Sequence, residues 1–297
     1  MSAIRVNPYP LPDILAALEN LQRQQSTATL QLATGSKINQ PSDDPAGAAQ
    51  LVQIADESAQ NDTFQQSIGS INGQLSTADS TLNSVVTALQ RAISLGTEGA
   101  NGTLSNTDRA DIAAEVQGIQ SQLISLANTS YQGQFIFAGT ADTQPFVVDS
   151  SSPSGVSYQG NQGTNSVSIG NGYSLQINLP GSQIFNGTGA DVFQAINDLI
   201  TGLQSNSNVP AAVTELGSAL NYLSIQQAFY GNALNQTQAQ QTYLNSQQVN
   251  LSQQQNTVSA ADVSTVASQV SSDQIAVDAT LSAIAKLPQT SLFDFLR

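Results

Sequence analysis

The sequence contains no cysteine, no histidine and no tryptophan. Without cysteine there is no disulfide framework and no thiolate zinc site, and a chain of this kind can enter an oxidising exterior without mispairing. Without histidine the usual general base and the commonest metal ligand are both missing, and so is any His-Glu-x-x-His peptidase helix. Charge is scarce as well, at 9% of residues, and the seven basic residues are scattered as Arg5, Arg23, Lys37, Arg91, Arg109, Lys286 and Arg297. A formal net charge of -14 repels phosphate backbones and anionic lipid, which excludes nucleic acid as a partner. No run of 18 apolar residues occurs, which argues against membrane insertion. Met1 to Pro12 carries three prolines and no apolar stretch, so it reads as an extended leader, and export without a cleaved signal peptide is expected.

What the sequence has in abundance is helical periodicity. Val213, Leu216, Leu220, Leu223, Gln227, Tyr230, Leu234, Thr237, Gln241, Leu244, Gln248, Leu251, Gln255 and Val258 step three, four, three, four, the spacing of a coiled-coil seam. At 1.5 Å per residue such a helix is about 70 Å long, and with little charge flanking the seam it needs a partner of similar length. Asp44 and Pro45 supply an N-cap and a first-turn proline for that partner. Behind them Phe64, Ile68, Ile71, Leu75, Ala78, Leu82, Val85, Leu89 and Ala92 repeat the same steps to about Leu95. A second, outer pair flanks the first. Leu11, Ile14, Leu18, Leu21, Gln25, Ala28 and Leu32 form its opening seam, and Val263, Val270, Val277 and Ile284 recur every seven residues at its close. The reading is a mainly α chain in which both ends form a long antiparallel coiled-coil rod.

The connections fit that plan. Thr34-Gly35-Ser36 stops the first helix, and Lys37 to Asp44 links the outer pair to the inner one. Asn39, Asp43, Asp44 and Pro45 are its linker and cap residues: Asp44 as the cap, with Asp43 adding favourable charge at the positive end of the helix dipole. Gly96, Gly99 and Asn101-Gly102 are expected to break the long helix, after which Ile112, Val116, Ile119, Leu123 and Leu126 mark a shorter one starting near Asp108. From Phe135 to Leu179 short β-prone runs alternate with turn residues, a small β-rich domain inserted in the middle. Its one helix, with Val192, Phe193, Ile196, Leu199, Ile200 and Leu203 on one face, is expected to cover the sheet. The five-residue step from Val258 to Val263 swings the apolar stripe and marks a hinge, with Ser259 or Asp262 able to cap the restarted helix. Leu292, Phe293, Phe295 and Leu296 read as an apolar docking surface at the chain end. Asp142, Asp149, Asp191 and Asp198 lack the spacing of a calcium loop and are assigned to turns and caps, and Tyr158 and Tyr173 to packing of the β domain.

The linker Gly35-Ser36-Lys37-Ile38-Asn39-Gln40-Pro41-Ser42-Asp43-Asp44-Pro45-Ala46-Gly47 resembles the signature of the bacterial flagellin family, in residues, spacing and position between two helices. Leu89-Gln90-Arg91, Ala100-Asn101-Gly102-Thr103 and Asp108-Arg109 are similar to the family's second helical stretch. Within the family, Tyr131-Gln132-Gly133-Gln134-Phe135-Ile136-Phe137-Ala138-Gly139-Thr140 and the ending Ser291-Leu292-Phe293-Asp294-Phe295-Leu296 resemble the members that join hook to filament.

The resemblance implies an extracellular structural subunit, carried by the flagellar type III route, that polymerises as a junction tier. The alternative is a filament-forming flagellin with a short variable domain. Residues 1–40 and 262–297 are then a terminal coiled-coil segment disordered until assembly, 41–132 and 208–261 the helical core, and 133–207 the outer domain. The weakly charged terminal helices agree, because alone they bury too little surface to offset their ordering entropy. Implied partners are copies of itself, a hook-associated protein on the hook side, flagellin on the filament side and a cytoplasmic export chaperone at the C-terminal region. The assembly interface is expected at Leu11, Ile14, Leu18, Leu21, Leu32, Val263, Val270, Val277, Ile284, Leu292, Phe293, Phe295 and Leu296. Arg91, Leu95 and Glu115 fall where innate immune receptors read flagellins. No enzyme activity, metal or cofactor is expected.

Overall fold

A computed structural model describes residues 11–286, so Leu292, Phe293, Phe295 and Leu296 lie outside the described residues. The helices are α1 (Leu11–Thr34), α2 (Pro45–Gly99), α3 (Asn106–Ala127), α4 (Gly181–Phe185), α5 (Val192–Ser205), α6 (Val209–Ser259) and α7 (Val263–Lys286). Eight short strands lie between α3 and α5: β1 (Ser130–Tyr131), β2 (Gln134–Phe135), β3 (Phe146–Val148), β4 (Val156–Tyr158), β5 (Ser166–Gly170), β6 (Tyr173–Gln176), β7 (Asn186–Gly187) and β8 (Ala190–Asp191). They pair as four antiparallel two-stranded hairpins, in the order β1-β2, β3-β4, β5-β6 and β7-β8. The chain divides into two compact units, one of Gln60–Gln247 and one holding the described residues up to Ala59 and from Gln248.

In the Gln60–Gln247 unit, α2 and α6 run antiparallel. Asn61 Nδ2 donates to the Leu244 carbonyl at 2.9 Å and Gln227 Nε2 to Asp79 Oδ1 at 3.2 Å, so positions rise on one helix as they fall on the other. Thr237 Oγ1 donates to Asn72 Oδ1 between these two points. The expected seam of α2 is inside: Ile68, Ile71, Leu75, Ala78, Leu82, Val85, Leu89 and Ala92 are buried, and Phe64 is half-buried. On α6, Leu216, Leu223, Tyr230, Thr237 and Leu244, seven apart, are buried, while the alternate seam positions Val213, Leu220, Gln227, Leu234 and Gln241 are half-buried. Ala212, Ala219 and Ala233 are buried beside them, so the covered stripe is wider than a two-helix seam.

The extra width is explained by what covers the pair. Ile112, Val116, Ile119 and Leu123 of α3 join the same core, as do Val192, Phe193, Ile196, Leu199 and Leu203 of α5. Two expectations change here. The helix α5 packs on α3 instead of covering a sheet, because the strands form separate hairpins too narrow to present a face. And Gly96 does not end α2, which runs to Gly99. A Cβ on Gly96 would sit 2.6 Å from Val213 Cγ2 and 3.0 Å from Leu199 Cδ1, and one on Gly99 2.2 Å from Leu203 Cδ2. These glycines are there for close helix approach, which a sequence pattern cannot distinguish from a break.

The hairpins hang on an aromatic cluster. Phe146 lies 5.2 Å from Phe185, 5.1 Å from Phe193 and 5.1 Å from Tyr158, and Phe137 lies 5.5 Å from Phe185. Tyr230 reaches in from α6, 6.5 Å from Phe137, and its hydroxyl accepts a hydrogen bond from the Leu179 amide at 3.2 Å. Burial pushes its phenol well above the usual tyrosine range.

In the other unit α1 packs against α7, and Gln25 Nε2 donates to Gln274 Oε1 across the pair. The adjoining stretches of α2 and α6 are joined by Gln248 Nε2, which donates to Ser58 Oγ at 2.8 Å. Ile54 and Leu251 are buried there, whereas Gln255, an expected seam position, is exposed and solvated near the end of α6.

Candidate assembly surface and linker

The linker and the hinge meet. Ser36 and Ala260 form an isolated antiparallel bridge, with Lys37 N donating to the Ser259 carbonyl at 2.7 Å and Ala261 N to the Gly35 carbonyl at 2.9 Å. Each acid in the linker has a defined task. Asp44 Oδ1 accepts from the amides of Ala46 at 3.1 Å and Gly47 at 3.0 Å, which satisfies two free donors at the start of α2. Asp43 Oδ2 accepts from the amides of Asn39 and Gln40, both at 2.9 Å, so it folds the linker back on itself. Asn39 Nδ2 donates to the Ser36 carbonyl at 2.8 Å. Pro45 opens α2, where its missing N–H costs nothing.

Gly47 was not singled out by the helix pattern, yet it is buried, and a Cβ there would lie 2.5 Å from Ile38 Cδ1 and 2.6 Å from Asp44 Oδ2. Its presence two residues after Asp44-Pro45 was the available signal. On the other strand, Asp262 caps α7, accepting from the amides of Ser264 at 3.0 Å and Thr265 at 3.2 Å and from Thr265 Oγ1 at 3.0 Å. The Thr265 amide and hydroxyl hold its carboxyl below the usual carboxylate range.

The expected interface residues of α1 and α7 are unevenly covered. Val277 is buried; Ile14, Leu18, Leu21, Val270 and Ile284 are half-buried; Leu11, Leu32 and Val263 are exposed, Leu11 at 46%. Apolar side chains off the seam are also open to solvent: Leu15 and Leu30 on α1, and Ile275, at 70%, and Leu281 on α7. The pair therefore shows apolar surface on more than one side.

Four of the residues weighed for other chemistry have structural duties. Asp149 accepts from the Ser151 amide at 2.9 Å and closes a turn, and Asp191 accepts from the Gln194 amide at 2.9 Å as the cap of α5. Tyr158 donates to the Asn161 carbonyl at 2.9 Å, and Tyr173 to Gln236 Oε1 at 2.8 Å. Among the described residues no group of three or more acidic side chains is placed to hold a metal ion. No described helix is long and apolar enough to cross a membrane. Arg91 and Glu115 form an exposed ion pair at 2.6 Å, while Leu95 is buried.

Residues 13–142 match the bacterial flagellin N-terminal helical region. Over 174 residues the chain is 33% identical to flagellar hook-associated protein 3 of Salmonella typhimurium, covering 58% of this chain and 53% of that protein. It is 37% identical over 134 residues to flagellar hook-associated protein 3 of Escherichia coli, covering 44% of this chain and 42% of that protein. The chain thus matches about half the length of these curated relatives. In fold it is similar to the crystal structure of the flagellar junction protein FlgL from Legionella pneumophila, with a TM-score of 0.62 at 15% identity over 71% of this chain and 100% of that one. Over residues 13–142 the chain is thus similar to the bacterial flagellin N-terminal helical region, and its fold is similar to that of the Legionella pneumophila junction protein.

Proposed function

We propose that this chain is a non-enzymatic structural subunit of the bacterial flagellum that joins the hook to the flagellin filament by polymerising as a junction tier. The observation that carries the reading is the state of the α1–α7 pair, whose helices meet along a seam and still leave Leu11, Leu15, Leu30, Leu32, Val263, Ile275 and Leu281 exposed. Apolar surface spread over both helices of a pair is what a subunit needs if copies of itself are to complete its burial. The curated relatives similar to it carry the name hook-associated protein 3, which supports this reading.

On this reading residues 1–40 and 262–297, with the interface positions named above, become ordered in the assembly, 41–132 and 208–261 form the subunit core, and 133–207 face outward. The neighbours are a hook-associated protein on the hook side and flagellin on the filament side, outside the cell. An export chaperone binds the C-terminal region before secretion, which uses no cleaved signal peptide.

The test is to mix the purified protein with isolated hooks and with flagellin and to image the products by electron microscopy. A short cap on hooks that then accepts flagellin is the expected result. Long filaments grown from this protein alone would instead make it a filament flagellin, and no association with either would end the assembly reading.

A further inference from the structure

The seam of α7 contains one residue that does not belong there. Val263, Val266, Val270, Asp273, Val277, Thr280 and Ile284 step three, four, three, four, and the acid sits at the centre of the run. Asp273 is 3% exposed. Its Oδ1 accepts from Gln269 Nε2 on the preceding turn at 2.7 Å, and its Oδ2 has no hydrogen-bond partner. Among the described residues no salt bridge reaches it, Arg91–Glu115 being the only one there. The near side of α1 offers another polar seam residue, Gln25, already engaged with Gln274. Gln25 is half-buried, and Gln274, its partner, is exposed and adjacent in sequence to Asp273.

A buried carboxylate with an acceptor left unmatched opposes the closed state of whatever buries it. Apolar side chains of similar size at such positions are often more stable. The pair has little to offset that opposition, because among the described residues of α1 and α7 only Ala28, Asp273 and Val277 are buried. Helices of 24 residues with so little covered surface stand close to the limit of independent stability. We propose that Asp273 is a built-in weak point that keeps the α1–α7 pair separable in the single subunit. The role given to the weak point, letting the two helices part and re-pack against other copies, rests on the assembly reading above; the weak point itself does not.

Hydrogen exchange measured by mass spectrometry on the full-length monomer at a dilution that excludes association tests it. In D273V, exchange within 11–34 and 263–286 is expected to slow at least tenfold, with 106–127 and 192–205 unchanged. D273N, which keeps the shape but removes the charge, should slow the same two segments less, and V277D, which adds a second seam acid, should quicken them. Unchanged or faster exchange in both D273V and D273N overturns the proposal. Assembly on hooks is read separately. If D273V tightens the pair and assembles more slowly, both ideas stand. If it tightens the pair and assembles at the wild-type rate, the weak point stands and its role in assembly does not.

Discussion

The two units use the same helical grammar and reach opposite outcomes. In Gln60–Gln247 the α2–α6 seam lies under α3, α5 and the hairpins; its Ile, Leu and Val positions on α2 are buried, and those on α6 alternate between buried and half-buried. In the other unit α1 and α7 show seams of similar spacing, and most of their apolar residues are half-buried or exposed. Spacing specifies which face of a helix is apolar, but the third layer decides whether that face is dry. The difference teaches that the same spacing gives a covered seam in one unit and leaves apolar side chains exposed in the other.

The sharpest way to press the comparison is to remove an aromatic anchor. Phe185 is fully buried among Phe137, Phe146 and Phe193, so Phe185→Ala should cost about 3–5 kcal/mol in urea unfolding of the Gln60–Gln247 unit and leave exchange in α1 and α7 unaltered. Next comes Gly47→Ala, whose new methyl would meet Ile38 and Asp44; the expected cost is about 1–3 kcal/mol, seen as early unfolding confined to the linker and the start of α2. Asp44→Ala, which frees two amide donors, should cost about 1 kcal/mol in the same assay.

Much of this was legible in residues. The α2 and α6 seams, the α3 run and the Asp44-Pro45 cap follow from spacing and local chemistry. What was not legible depends on distant partners. Gly96 and Gly99 look like helix breaks until Leu199, Leu203 and Val213 are found against them. The Ser36–Ala260 bridge joins residues more than two hundred positions apart, and no local pattern announces it. In α7 Val263, Val270 and Val277 repeat every seven residues, and Asp273 shares their face without interrupting that repeat. Of the site, the linker acids were readable because caps are local; the degree to which α1 and α7 are covered was not, because coverage is a property of neighbours.

Two smaller effects sharpen the contrast further. Asp262 has a depressed carboxyl pKa, so the support it gives to the start of α7 is complete above the unfolded value of about 3.9 and is lost as pH falls through the lower folded one. Protection of the amides of Ser264 and Thr265, taken relative to their intrinsic exchange rates, should accordingly fall in acid, and Asp262→Asn, which still accepts the hydrogen bonds, should flatten that dependence. Smallest of all, Leu15→Ser on the exposed face of α1 should change monomer stability by no more than about 0.5 kcal/mol, while reducing association with hooks.

Limited proteolysis of the purified monomer, with fragment masses, tests the contrast between the units most directly. Early cuts within α1 and α7 that spare Gln60–Gln247 are predicted. Equal resistance along the whole described chain, or first cuts inside Gln60–Gln247, would contradict the account.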